Sequence, residues 1–341
     1  MGKDIANRKT EHVNIVLKDK EVDRSGNYFD QIRLRHRALP EISLEEVDTR
    51  VEFLGKTLSF PLIISSMTGG SDADLKTINK NLATAAAATG VGMGVGSQRI
   101  MFNEDAARES FDLREYAPDS LLFANLGAVQ LNYDFGLEQA QAAVDLLKAD
   151  ALYLHLNPLQ EAIQPEGDTN FTNLAEKISE LQQELNVPII IKEVGAGVSA
   201  ADAELLYSSG IRYIDVAGSG GTSWSRIEHF RQDAEKKNDL GLLFQDWGIP
   251  TPKAIEGIAN LGLDIHLISS GGVRTGIDIA KSVILGARVA GMAKPFLAPA
   301  QESAEAVVAE INNLKDQFRL AMFLLGAEKV EDIFSHKNFI V

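Results

Sequence analysis

The chain has 341 residues, 45% of them hydrophobic, and a formal net charge of −15. That length can bury a large core as one big α/β domain or two smaller ones, and the acidic balance excludes a general nucleic-acid surface, which needs a basic footprint. Cysteine is absent, which excludes disulfides, thiolate–zinc sites, iron–sulfur clusters and thiol nucleophiles.

The first 20 residues are polar and charged, with Arg8, Lys9, Glu11, His12 and Lys18. No signal peptide is expected there. No apolar run reaches the roughly 18 residues of a membrane span, so a cytoplasmic protein without a membrane partner is expected. This terminus reads either as a frayed, solvated segment or, through Arg8 and Lys9, as a mobile cationic clamp for an anionic substrate. Residues 30–39 hold a second basic cluster, Arg33, Arg35, His36 and Arg37. Residues 51–58 alternate around Gly55 and Lys56, the pattern of a short hairpin.

A regular rhythm follows. Apolar strand-like runs at 60–67, 91–96, 121–127, 151–157, 188–193, 212–217, 264–270 and 288–293 alternate with helical stretches at 72–89, 104–116, 136–148, 172–186, 199–209, 252–261 and 275–285. A last helix is expected near 300–325. Several runs begin just after a helix-ending glycine or a proline, as at Gly90, Pro188, Gly210 and Gly286. Near-continuous apolar strands separated by helices form a parallel sheet covered on its outer face, and eight such units match a (β/α)8 TIM barrel. A doubly wound open sheet is the alternative. The expected organisation is a single domain, 1–341. Residues 1–59 would be an N-terminal extension and hairpin, 60–325 the barrel and 326–341 a tail.

Active sites of such barrels lie at the C-terminal strand ends. Here those ends carry Ser66, Met67, Thr68 and Gly69; Ser97, Gln98 and Arg99; Asn125; His155 and Asn157; Lys192; Thr222; Gly271 and Gly272; and Gly291, Met292 and Ala293. By the period of two, Ser97, Asn125, His155, Asn157 and Lys192 share faces with inward positions one pleat earlier. Strands that are apolar in the body and polar at one end form a floor under a polar cofactor.

Residues 153–161 concentrate this chemistry. Tyr153, His155 and Asn157 lie on one face, Leu152, Leu154 and Leu156 on the other, and Pro158 ends the ladder because it has no N–H. Gln160 and Glu161 follow at once. Glu161 reads either as a Mg2+ ligand, since that hard ion accepts one carboxylate plus phosphate oxygens and water, or as the partner of a nearby cation. Gly271-Gly272-Val273-Arg274 and the small end Gly291-Met292-Ala293 suit a phosphate after the seventh and eighth strands. Residues 218–250 exceed an ordinary loop and read as a lid, with Trp224 and Trp247 either functional or packing groups. Lys192 is a Schiff-base nucleophile, a salt-bridged core residue or a cation near an electron-accepting ring; the third is favoured.

Together Met67-Thr68-Gly69-Gly70, Gly96-Ser97-Gln98-Arg99, His155-Leu156-Asn157-Pro158-Leu159-Gln160-Glu161, Lys192-Glu193-Val194-Gly195, Gly220-Gly221-Thr222-Ser223-Trp224, Ser270-Gly271-Gly272-Val273-Arg274 and the Arg8-Lys9 start resemble the type 2 isopentenyl-diphosphate isomerases over essentially the whole chain. The resemblance implies an FMN-dependent barrel that interconverts isopentenyl and dimethylallyl diphosphate. It places FMN on Ser66, Met67, Thr68, Gly69, Ser97, Asn125, Lys192, Thr222, Gly271, Gly272, Val273, Gly291, Met292 and Ala293. The diphosphate would meet Arg8, Lys9, Ser97, Gln98, Arg99 and Gln160, beside His155 and Asn157, with Mg2+ on Glu161. It also implies NADPH as flavin reductant and a homo-oligomer, a tetramer or octamer. Reduced FMN would act as acid–base, with Gln160, His155 and Lys192 as the catalytic side chains; His155 as the general acid is the rival assignment. Three other readings remain: an FMN oxidoreductase acting on hydroxy acids, a flavin-free phosphate-binding barrel, and a non-enzymatic scaffold.

Overall fold

The eight apolar runs become the strands of a closed parallel barrel in a computed structural model, which describes residues 2–24, 26–232 and 238–341, with side chains from residue 9 onward. A small antiparallel hairpin precedes it, β1 (Val51–Phe53) with β2 (Lys56–Leu58). Its turn is Leu54-Gly55, both with positive φ, one residue earlier than the alternation suggested. The barrel strands are β3 (Leu62–Ile64), β4 (Gly92–Gly94), β5 (Leu122–Gly127), β6 (Ala151–Leu156), β7 (Ile189–Glu193), β8 (Tyr213–Asp215), β9 (His266–Ser270) and β10 (Ala287–Met292), closed by β10 on β3. The open doubly wound sheet is thereby overturned. Phe53 of the hairpin meets Tyr213 edge to face at 5.9 Å, packing the hairpin against the N-terminal end of β8.

The helices, in chain order, are α1 (Gly2–Lys18), α2 (Ala73–Thr89), α3 (Asp105–Arg108), α4 (Leu137–Leu147), α5 (Pro158–Ile163), α6 (Leu174–Glu184), α7 (Ala200–Ser208), α8 (Trp224–Arg231), α9 (Leu240–Leu243), α10 (Thr251–Ala259), α11 (Gly276–Leu285), α12 (Lys294–Glu302), α13 (Ala304–Leu325) and α14 (Val330–Ile333). Local chemistry sets their ends. Asp72 caps α2, which stops at Gly90 in the left-handed conformation. Thr275 and Asp278 form a capping box on α11.

Four segments depart from the sequence reading. The terminus is not frayed: Gly2–Lys18 form helix α1, which carries Lys9 to the pocket lining. Pro158 ends β6 and also opens α5, because a missing N–H is harmless in a first helical turn. The stretch 104–116 keeps only α3: Ser110 turns its hydroxyl to the Ala107 carbonyl and accepts from the Gly70 N–H, while Phe111 packs on Gly69. The long segment 218–250 holds α8 and α9 and is fastened by Arg24, which donates to the carbonyls of Gly195 (2.6 Å) and Gln245 (2.7 Å). Gly218, Gly221, Thr222 and Trp224 wall the pocket, and the lid reading also spans residues 233–237, which lie outside the described residues.

The layer around the barrel depends on close helix contact. A Cβ added to Gly276, at the start of α11, would lie 2.4 Å from both the Leu314 oxygen and the Phe318 nitrogen of α13. Backbone cannot yield as a side chain can. Gly276→Ala is expected to lower stability by about 1–3 kcal/mol, seen as a lower midpoint in urea unfolding.

Candidate active site

Register decides what the barrel floor presents. Parallel neighbours in register point the same way, and His155 pairs with Lys192, which pairs with Asp215. Imidazole, ammonium and carboxylate therefore stand side by side on β6, β7 and β8. The pocket above them is lined at every strand end and by one face of α1.

Two polar networks tie the floor together. In the first, Asn125 donates to Ser66 Oγ and to the Val95 carbonyl, both at 2.9 Å, which turns its own carbonyl toward His155 Nδ1 at 2.8 Å. His155 thus carries its proton on Nδ1 when neutral, and Nε2 is its acceptor position. In the second, Lys192 Nζ donates to Asp215 Oδ2 at 2.9 Å and to Ser270 Oγ at 3.1 Å.

The turn from β6 into α5 builds a third cluster. Asn157 donates to Gln160 Oε1 (3.1 Å) and Glu161 Oε1 (2.9 Å), while Glu161 Oε2 accepts from Gln164 and from the Asp168 N–H at 2.7 Å. Glu161 is 6% exposed and lines the pocket. Among the described residues no group of three His, Asp or Glu side chains could hold a metal by itself. An ion here would need oxygen ligands from its substrate.

Glu228, on α8, is fully buried. It accepts from Gln160 Nε2 at 2.7 Å, from His12 Nε2 at 3.0 Å and from Arg231 at 2.5 Å. Burial opposes its charge, but His12, Arg231 and Gln160 outweigh burial and hold its pKa at about 2. Burial also dominates His12 and moves its pKa down, so we read a neutral imidazole donating to a carboxylate whose counter-charge is Arg231. His12 meets Trp224 edge to face at 5.1 Å. Glu193, on the outer face of β7, is spent on the backbone N–H groups of Val194, Gly195, Ala196 and Gly197.

Of the expected site residues, Lys9, Ser66, Met67, Thr68, Ser97, Arg99, Asn125, His155, Asn157, Gln160, Glu161, Lys192, Thr222, Gly271, Gly272, Gly291, Met292 and Ala293 all line the one pocket. Three do not. Gln98 is completely buried, donating to the Ala143 carbonyl (3.0 Å) and accepting from the Asn125 N–H (2.9 Å). Gly69 lies against Phe111, and Val273 is core. The Arg8 side chain lies outside the described residues. Arg99 faces the pocket but is paired with Asp168 at 2.7 Å. Trp224 lines the pocket, whereas Trp247 is 63% exposed. The sequence reading missed His12, Gln164, Asp215 and Glu228 as site residues.

The lining fits a flavin nucleotide. Gly271 and Gly272 have φ of +92° and +84°, and a Cβ on Gly221 would come within 2.7 Å of the Gly272 nitrogen, so these turns bring bare backbone to the pocket. Arg274 and Lys294 stand beside them. At the end of β3, Ser65 Oγ and Thr68 Oγ1 are buried pocket-lining hydroxyls with no hydrogen-bond partner among the described residues. Such groups await a polar ligand.

Residues 9–120 and 133–339 match the family of FMN-dependent dehydrogenases. An isopentenyl-diphosphate delta-isomerase of Hydrogenovibrio crunogenus is 52% identical over 337 residues, covering 99% of this chain and 98% of its relative. One from Paracoccus zeaxanthinifaciens is 51% identical over 341 residues, 98% and 97% of the two chains. Among solved structures, a flavocytochrome b2 mutant aligns with a TM-score of 0.69 at 18% identity over 97% of this chain and 82% of its own, a likeness of fold.

The Glu228 cluster makes the docking of α1 pH-dependent. His12 and Glu228 both hold their protons less tightly when folded, so docking is strongest above pH 6.5 and weakens as pH falls, through His12 first and Glu228 last. Hydrogen exchange at residues 9–18, corrected for intrinsic rates, is expected to lose protection as pH falls below about 6.5. His12→Gln should remove that step. A gain of protection on acidification would mean a charged His12 instead.

Proposed function

The chain belongs to the FMN-dependent, type 2 isopentenyl-diphosphate delta-isomerases, and from that premise we propose that it interconverts isopentenyl and dimethylallyl diphosphate using reduced FMN and Mg2+. The observation that carries the reading is one pocket that joins bare glycine turns, a polar floor and the buried carboxylate Glu161 beside Lys9 and Arg99. When bound in its reduced form, FMN supplies a proton donor and acceptor beside an electron-rich ring that stabilises positive charge on the substrate.

The protein's own residues divide the remaining work. Gly271, Gly272, Gly291, Met292, Ala293, Ser66, Met67, Thr68, Ser97, Asn125 and Thr222 would hold the flavin, with Lys192 biasing its charge. Glu161 would hold Mg2+: its oxygens already accept from Asn157, Gln164 and the Asp168 N–H, which fixes their orientation. Lys9, Arg99 and Ser97 would meet the diphosphate. Gln160 is locked between Asn157 and Glu228, so its amide offers the substrate an edge of fixed orientation. His155 would stand beside the substrate, its Nδ1 bound to Asn125 Oδ1. Helices α1 and α8 wall the pocket and exclude water that would trap a cation. NADPH as the flavin reductant, a homo-oligomeric assembly and a cytoplasmic location belong to the same proposal.

An anaerobic assay with isopentenyl diphosphate, FMN, Mg2+ and dithionite tests it. Dimethylallyl diphosphate should form with reduced and not with oxidised FMN. A yellow protein without isomerisation would favour hydroxy-acid oxidation, and a protein that binds no FMN would sink both. Under reducing conditions Gln160→Ala is expected to lower kcat/KM by roughly 100-fold and His155→Gln by roughly 10-fold. If His155→Gln abolishes turnover while substrate still binds, His155 is the general acid.

A further inference from the structure

We propose that Asp215 is a positioning residue that anchors Lys192 as a charged group beneath the bound flavin, an inference that rests on the FMN reading. Asp215 is completely buried and does not line the pocket, so its route to a ligand runs through a neighbour. That neighbour is its register partner Lys192, 2.9 Å away and 7% exposed.

The hydrogen bonds around the pair are directional. Ser270 has one hydroxyl proton, and it goes to Asp215 Oδ1 at 2.5 Å. Its oxygen therefore accepts from Lys192 Nζ at 3.1 Å. The lysine donates to carboxylate and hydroxyl alike, and an ammonium has a third N–H for the pocket that Lys192 lines. Among the described residues, the other groups around Lys192 do not supply the counter-charge. The phenol of Tyr153, whose ring lies 5.8 Å from Nζ, is held well above its ordinary pKa by burial and then by the Asp215 charge, so it stays neutral. Glu193 faces away and is spent on backbone N–H groups. His155, on the other side, is bound to Asn125. Without Asp215 the buried Lys192 would lose its carboxylate anchor.

The test is the midpoint potential of bound FMN, measured by reductive titration against a reference dye. Lys192→Met should weaken reduced relative to oxidised FMN about tenfold, a fall of ~30 mV for a two-electron couple. Asp215→Asn should shift the potential down as well. In the Lys192→Met background the same change should alter the ratio less than about twofold, since it acts through the lysine. Ser270→Ala, which keeps both charges, should give a smaller fall and serves if Asp215→Asn does not fold. An unchanged or raised potential in Asp215→Asn, or full additivity with Lys192→Met, overturns the inference. Failure of the unmutated protein to bind FMN would overturn the flavin reading instead.

Discussion

Asn125 is the tie on which the floor of this site depends. Its side chain reaches Ser66 beyond β3, the Val95 carbonyl beyond β4 and His155 on β6, and its backbone N–H is satisfied by Gln98. Gln98 and Val95 are buried and Ser66 and His155 partly so, and a buried polar atom left without a partner costs about 1–3 kcal/mol. Removing the Asn125 amide would therefore strand several partners at once. The barrel supplies the strand spacing; the amide supplies the orientation. The imidazole tautomer that faces the pocket follows from a hydrogen bond made below it.

The roof obeys a similar logic with charges in place of amides. Glu228 is 216 residues from His12 in sequence and 68 from Gln160, yet one carboxylate oxygen serves both. Arg231 provides the charge that makes this burial tolerable. Docking of α1 and orientation of Gln160 are consequently one event. Arg226 repeats the pattern at the rim, pairing with Asp19 and Glu21 just after α1.

Much of this was legible in the sequence because closed parallel barrels are written as apolar runs with polar ends. Where that period continued, the reading succeeded: His155 and Lys192 share the inward face with Tyr153 and Ile190. It failed where geometry changed. Past Ser97 the chain enters a 3-10 turn, Gln98–Phe102, so alternation no longer applies and Gln98 swings into the core while Arg99 stays at the pocket. Asp215 lies within the apolar run 212–217, and nothing local in the sequence announces a lysine on the adjacent strand. The α1 face was present as Lys9, His12, Val13 and Val16, spaced i, i+3, i+4 and i+7, but dense charge concealed the helix. Glu228 gave no local signal, because its partners are all distant except Arg231.

The barrel itself does not choose a reaction. The choice lies in how charge is arranged at the strand ends. Arg99 is paired with Asp168, while Arg274 and Lys294 both hold Asp23. In a protein of net charge −15, unpaired cations would attract the protein's own carboxylates indiscriminately. Fixed pairing holds each cation at a defined place before any anion arrives. A phosphate must then share the cation with an aspartate, and one negative charge gains little from doing so. A diphosphate with a divalent ion brings more contacts for the same rearrangement, including the oxygens that a single Glu161 cannot supply to the ion. Under the proposed function, cations positioned by their counter-charges would favour a metal-bound diphosphate over a simple anion.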